Sequence, residues 1–502
     1  MSSVDYLHLL ALIVPETLVV LAALAILVVD LGVMRQAPRR YRCLISAAIV
    51  TVACFAAMLW MHGVPQHAYA LEGALVVDPL TQFMKQVLLV LVFATAVLSL
   101  DAPFTEHVGE YFALLLFATV GMMFLVSSEE LLMIFVALEL TSLSLYILTA
   151  FNHRNPASAE AGLKYYLFGG MAAAFTLFGL SLLYGLTGET NLARIAARLQ
   201  GHGLDPLLAL ALVLTVIGFG FKIAAVPFHL WAPDAYQGAP TPAAALIASG
   251  SKVASFFVFA KVMMLGFAGS EGSGAWARLT PGWVPVLVIL AVASMLLGNL
   301  GAIAQSSVKR LLAYSAIAHA GYMLLGLITM AHTGQRQAGM AALVYYVATY
   351  GLTTVGAFGV VAAINPAADD ERLADLAGLS RRAPLLALCM MVFMLSLAGI
   401  PPLAGFFGKF YLFTAAVGAE PDHLGLLWLV IFAIAMSAVS LYYYLQVLKQ
   451  IYVSPAPEAA PALRPSLASR LALGALALAV VVLGAAPQLL LDPLAAAIQR
   501  VL

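Results

Sequence analysis

A chain of 502 residues in which 63% are hydrophobic and only 10% charged is not a soluble protein, whose charged share runs near a quarter. Its 24 Lys+Arg balance its 24 Asp+Glu, so bulk charge gives no reason to bind nucleic acid. Three isolated cysteines, Cys43, Cys54 and Cys389, cannot hold an iron–sulfur cluster, which needs four thiolates at set spacing; they read as packing residues.

Roughly 20 apolar residues cross a bilayer core about 30 Å thick. That length, moved along the chain, predicts about fourteen helices over 7–30, 43–61, 78–100, 110–127, 130–151, 160–186, 205–228, 240–267, 282–304, 309–330, 337–364, 384–416, 424–452 and 469–491. The start, Met1 to Leu10, has no basic region ahead of an apolar core, so no cleaved signal peptide is expected. The longest interruptions, 187–204, 365–383 and 453–468, are short linkers rich in Ala, Pro, Arg and Asp. They leave no room for a soluble domain. The expected fold is all-α and polytopic, a single integral membrane domain.

Basic residues mark the cytoplasmic loops of such proteins. Arg35, Arg39, Arg40, Arg42, Arg154, Lys164, Lys309, Arg310, Arg372, Arg381, Arg382, Lys449, Arg464 and Arg470 fall on one side, against Arg194, Arg198, Arg278, Arg336 and Arg500 on the other. Fourteen against five puts both termini on the non-cytoplasmic side. Five lysines remain, all inside apolar spans: Lys85, Lys222, Lys252, Lys261 and Lys409. A charge at mid-bilayer costs roughly 2.5–3.5 kcal/mol on insertion scales, and such residues usually mark ion or proton pathways.

Lys222 lies in Gly218-Phe-Gly-Phe-Lys222-Ile-Ala-Ala-Val-Pro227, and Lys409 follows Gly399-Ile-Pro401-Pro402-Leu-Ala-Gly405. Proline removes a helix hydrogen bond, and broken helices at membrane depth line buried or watery cavities. Two interrupted helices, one in each half and each with a lysine, point to a site in a transporter-like fold. The plainer alternative is a snorkelling lysine beside a kink. Glu139 sits deep in the fifth span with Ser142 and Tyr146 on its face, at i+3 and i+7. Lys222 is its expected partner, either in a switchable pair or in a fixed salt bridge. Lys252 lies among Ser249, Ser251 and Ser255, whose small hydroxyls make room for water or, alternatively, for close helix packing.

Burial makes a lysine release its proton more readily, and a neighbouring carboxylate reverses that. His319, in the tenth span, is suited to shuttle protons between lysines, though an apolar-face histidine also serves as hydrogen-bonded structure. His229, seven residues after Lys222, is a candidate proton entry point, and the nearby Trp231 reads as an interfacial anchor. Lys85 and Lys261 are weaker candidates; Lys261, nine residues beyond Lys252, faces away from it. Lys309 and Arg310 need no explanation beyond the cytoplasmic bias. No dinucleotide fingerprint, Walker loop or H-E-x-x-H motif occurs.

Three runs carry a family resemblance: Pro227-Phe-His229-Leu-Trp231 on to Pro242, Ala313-Tyr314-Ser315-Ala-Ile-Ala-His319-Ala-Gly321-Tyr322, and Leu395-Ser-Leu-Ala-Gly399-Ile-Pro401-Pro402-Leu-Ala-Gly405-Phe-Phe-Gly408-Lys409. They resemble the seventh-to-eighth junction, the tenth helix and the broken twelfth helix of the antiporter-like membrane subunits of respiratory complex I, and among these subunit N. The resemblance spans about residues 5 to 495. It implies fourteen helices with two inverted five-helix repeats, helices 4–8 and 9–13, containing broken helices 7 and 12. The corresponding divisions are 1–105, 106–270, 280–455 and 465–502.

The resemblance also implies a proton relay of Glu139, Lys222, Lys252, His319 and Lys409, with His229, Tyr322 and Lys261 as entry or accessory residues and Pro227, Gly399, Pro401 and Pro402 as helix breaks. No cofactor or metal is expected in this chain; NADH, flavin, iron–sulfur clusters and quinone are expected in partner subunits. The implied neighbours are subunits M and K and the lipid bilayer, in a bacterial inner membrane. The chain ends soon after its fourteenth span, without the long lateral helix of subunit L, and has Lys409 where subunit M typically has glutamate. The rival readings are a cation/proton antiporter or membrane-bound hydrogenase subunit on the same scaffold, and a purely structural membrane scaffold.

Overall fold

A computed structural model describes residues 6–64, 67–276, 278–364, 372–419, 424–456, 463 and 465–501. Arg464 and parts of the expected 365–383 and 453–468 linkers lie outside the described residues.

Among the described residues, twelve helices are long and apolar enough to cross a membrane: Val14–Val33, Arg39–Gly63, Pro79–Asp101, Val108–Val126, Leu131–Thr149, Pro156–Thr187, Thr241–Gly266, Trp283–Ile303, Val308–Met330, Thr333–Ile364, Leu427–Tyr452 and Leu467–Ala485. Two further crossings are interrupted. The seventh is Pro206–Lys222 followed by Trp231–Gly238, and the twelfth is Pro384–Ala398 followed by Ala404–Ala419. Fourteen crossings therefore stand in the expected order.

Capping chemistry fixes where several begin. Asp78 accepts from the Thr81 amide at 2.7 Å while its own amide donates to Thr81 Oγ1 at 3.0 Å, a reciprocal cap for the third crossing. Asp205 accepts from the Leu208 amide at the start of the seventh. Both are followed by proline at the first helical position, where the missing N–H costs nothing.

The eighth, tenth and eleventh crossings are buried on nearly every side, whereas the first, second, sixth, thirteenth and fourteenth turn large apolar side chains outward. Helices apolar all round belong inside a bundle or against lipid, and both kinds occur here. The inner three carry Lys252, His319 and the tyrosines of Tyr345–Tyr350. Lys252, His319 and these tyrosines thus lie in the middle of the bundle.

Among the small elements that the sequence reading did not include, three stand out. A hairpin pairs Ala68–Ala70 with Leu75–Val77, and the Val76 amide donates to Ser127 O at 2.7 Å, tying the hairpin to the end of the fourth crossing. The linker after the sixth crossing folds a short helix, Leu192–Leu199. A last helix, Gln488–Gln499, follows the fourteenth crossing, which stops at Ala485.

Candidate functional site

Lys222 is the last residue of helix Pro206–Lys222. Its Nζ lies 3.9 Å from Glu139 Oε1, donates to Ser142 Oγ, and stands 5.9 Å from the centre of the Tyr146 ring. The stripe expected on the fifth crossing is therefore the surface Lys222 meets. The Glu139 side chain is 26% exposed and that of Lys222 9%, so the carboxylate lies at the edge of the bundle and the ammonium within it.

The helix stops at Lys222, five residues before Pro227, which the sequence had marked as the break. Ala224 adopts φ +56° and the Ala225 amide reaches back to Gly220 O at 2.8 Å, so the chain has left the helix before the proline. The Val226 amide then donates to Ser294 Oγ of the ninth crossing at 2.9 Å, and Trp231 Nε1 donates to Phe221 O at 3.0 Å. Buried backbone groups must find such partners. Trp231 is accordingly buried, stacked on Tyr165 with ring centres 4.1 Å apart, which corrects its reading as an interfacial anchor. His229 occupies the non-helical stretch and is partly exposed; with the helix ended, its seven-residue spacing from Lys222 sets no common face.

The eighth crossing is also interrupted, which the sequence reading did not anticipate. Helix Thr241–Ala248 ends at Ser249, with φ −113° and ψ −75°, and restarts at Gly250. Lys252 sits in the first turn after this break, 1% exposed. Its Nζ donates to Ala316 O at 2.6 Å and lies 6.0 Å from the Tyr350 ring centre. The hydroxyls of Ser249 and Ser251 donate back to Ala245 O and Ile247 O, each at 2.6 Å. Those two serines therefore satisfy carbonyls of their own helix.

One turn beyond Ala316, His319 is held at both ring nitrogens. Nδ1 is 2.7 Å from Tyr346 Oη and Nε2 is 3.1 Å from Tyr444 Oη, and Tyr444 Oη is 2.5 Å from Ser315 Oγ. Tyr350 packs against the imidazole at 5.2 Å between ring centres, placing one aromatic ring beside both His319 and Lys252.

Lys409 is set by the twelfth crossing's interruption. Helix Pro384–Ala398 ends at Gly399, φ +85°, and Pro401-Pro402 keep it from resuming until Ala404. Its last carbonyls are left without helical partners, and Lys409 Nζ donates to two of them, Leu397 O and Ala398 O, each at 3.1 Å, and to Ser437 Oγ at 2.8 Å. The negative end of the helix dipole thus faces the ammonium. Glycine at 399 suits its positive φ, and a Cβ there would crowd Lys409 Cδ at 3.1 Å. The Tyr322 ring lies under Lys409 at 5.0 Å, and Asn299 joins Tyr322 Oη (3.2 Å) to Tyr443 Oη (3.0 Å).

Glu139, Lys222, Lys252, His319, Tyr322 and Lys409 are thus drawn into local clusters. Lys261 is not part of them: it pairs with Glu129 at 3.2 Å and donates to Val126 O. Lys309 is buried and donates to Ala239 O at 3.2 Å, so its role exceeds the loop bias first assigned to it. The sequence reading missed Tyr346, Tyr350, Tyr444, Asn299 and Ser437. The spacing of Tyr346 and Tyr350, four residues apart on one helix face, was the available signal. Among the described residues, no group of three or more His, Cys, Asp or Glu is arranged to hold a metal.

These features define a polytopic membrane protein with ionisable groups placed at interrupted helices. A family profile described as "NADH:quinone oxidoreductase/Mrp antiporter, TM" matches residues 128–437. The chain is 53% identical over 501 residues to "NADH-quinone oxidoreductase subunit N 2" of Acidobacterium capsulatum, covering 98% of this chain and 99% of that one. It is similar to a chain in the structure of respiratory complex I from Thermus thermophilus, at 35% identity and a TM-score of 0.77, covering 96% and 99%. A chain of the Mrp complex from Dietzia shares the fold, with a TM-score of 0.78 at 23% identity and 97% of each covered. The chain belongs to the NADH:quinone oxidoreductase/Mrp antiporter transmembrane family, on its subunit N branch.

Proposed function

We propose that this chain is a proton-translocating membrane-arm subunit of an NADH-quinone oxidoreductase in a bacterial inner membrane, working through Glu139, Lys222, Lys252, His319 and Lys409. The observation that carries this reading is the treatment of the buried lysines. Lys222, Lys252 and Lys409 all donate to neutral oxygens, and among the described residues, of the three only Lys222 has a carboxylate within 4 Å. A neutral acceptor holds an ammonium without fixing its charge. When Glu139 is protonated or moves away, Lys222 keeps only its hydroxyl partner and releases its proton more readily. His319, with a tyrosine hydroxyl on each nitrogen, takes up a proton on one side and releases one on the other by exchanging its tautomer. Tyr322 positions Lys409, and His229 serves proton entry.

On this reading NADH, flavin, iron–sulfur clusters and quinone reside in other subunits, and this chain holds no redox centre. Helices 4–8 (106–270) and 9–13 (280–455) form the two halves, both termini lie outside the cytoplasm, and subunits M and K are the neighbours. The bundle edge at Glu139 is where such a neighbour's charge would act. A cation/proton antiporter subunit is the second reading, favoured by the Mrp half of the family description. Membrane vesicles separate the two. Proton movement that requires NADH oxidation is expected; cation-driven proton exchange that persists in vesicles given no NADH would contradict the proposal.

A further inference from the structure

Away from these clusters, Glu16 of the first crossing and Lys85 of the third form an ion pair with Nζ 2.7 Å from Oε1, their side chains 1% and 0% exposed. Among the described residues, Glu16 Oε2 has no hydrogen-bond partner, and Lys85 Nζ has none beyond the pair. This differs from Lys222, Lys252 and Lys409, each of which has a neutral acceptor to fall back on. If the Glu16–Lys85 pair gained a proton, a lone ammonium would remain; if it lost one, a lone carboxylate. Either would be sealed in the bundle without a partner, the arrangement buried pairs tolerate least. The pair is therefore a contact that neither side chain can replace with another.

What it fixes is the third crossing. Six residues along that helix from Lys85, about 9 Å at 1.5 Å per residue, Leu91 reaches the point where three helices meet. A Cβ added to Gly351 would stand 3.1 Å from Leu91 Cδ1 and 3.3 Å from Val253 Cγ2. Gly351 directly follows Tyr350, and Val253 directly follows Lys252. The height of Leu91 thus bears on the spacing between the helix of Lys252 and that of Tyr350. Apolar packing along a helix tolerates sliding, whereas a buried charge pair allows one register, the best-attested use of such pairs.

We infer that Glu16 and Lys85 are positioning residues: their bridge sets the height of the third crossing and, through Leu91, the alignment of Lys252 with Tyr350. The inference rests on the proposed role of Lys252. Its test uses the assembled complex in membrane vesicles, with protons pumped per NADH oxidised, and the pH profile of that ratio, measured for three variants. These are the neutral pair E16Q/K85M, the reversed pair E16K/K85E, and Lys252→Met. The neutral pair leaves no buried charge and is expected to assemble, with a several-fold lower pumping ratio and a displaced pH profile. The reversed pair is expected to recover most of the ratio. A neutral pair that pumps like the parent would overturn the inference, as would a reversed pair that assembles but pumps no better than the neutral one. So would a neutral pair that fails to assemble beside a reversed pair that succeeds, which would make the bridge an assembly key only. Normal pumping by Lys252→Met would remove the role of Lys252 and this inference with it; loss there beside a parental ratio in the neutral pair would overturn this inference alone.

Discussion

The two halves of the site hold their lysines by opposite means. In the first, Lys222 faces a carboxylate at 3.9 Å, and that carboxylate lies partly open at the side of the bundle. In the second, Lys409 is paired with no carboxylate among the described residues. It is held by two helix-end carbonyls and a hydroxyl over a tyrosine ring, wholly inside the protein. A charge partner can be switched by an event outside the chain, because a carboxylate responds to its neighbours. Carbonyl partners cannot be switched that way, since they stay in place as long as the helix stays broken. On the proposed reading, the first half is the one acted on and the second the one that receives.

The largest expected contrast comes from Glu139→Gln, which leaves Lys222 with neutral partners like those of Lys409. Losing a hydrogen-bonded or paired charge is worth about 1.5–3 kcal/mol, so pumping per assembled complex should fall by about tenfold or more. Glu139→Asp should recover part of the loss. Equal pumping by Glu139→Gln and the parent would erase the distinction between the halves.

His319→Phe keeps the ring and removes both nitrogens, ending the link between Tyr346 and Tyr444. A smaller, several-fold fall in pumping is expected, with assembly of the complex kept. Tyr444→Phe removes only one hydroxyl, which leaves Ser315 and His319 Nε2 each short of a partner. One such bond is worth about 1 kcal/mol, and the coupled rate should drop by only a few-fold. The smallest effect belongs to Lys261→Met. Its partner Glu129 stands outside the clusters, and pumping per assembled complex should stay at the parental level; a loss as large as that of His319→Phe would bring Lys261 into the path.

The lysines were legible in the sequence for a simple reason: a charge inside an apolar run is costly and so conspicuous. The twelfth crossing was legible too, because Gly399, Pro401 and Pro402 are residues whose backbone limits are known in advance. The eighth crossing was not. Its break falls at Ser249, with no proline beside it to announce it. The seventh broke earlier than its proline because Ser294 and Trp231, remote in sequence or beyond the helix, satisfy the freed amide and carbonyl. Tyr346, Tyr350 and Tyr444 went unnoticed because tyrosine is at home in apolar helices, and only the distance to His319 separates a relay hydroxyl from a packing ring. Glu16 and Lys85 are 69 positions apart in a chain read one span at a time. Their pairing is a fact of the bundle.

The central claim is that protons cross the membrane by way of Lys222 and Lys409. Proton pumping in vesicles holding the assembled complex with Lys222→Ala and, separately, Lys409→Ala tests it most directly, with NADH oxidation and complex content measured alongside. Loss of coupled pumping or turnover in both, with the complex intact, is the expected result. Normal pumping and turnover in both would contradict it, and would leave this chain as a scaffold around a path that runs elsewhere.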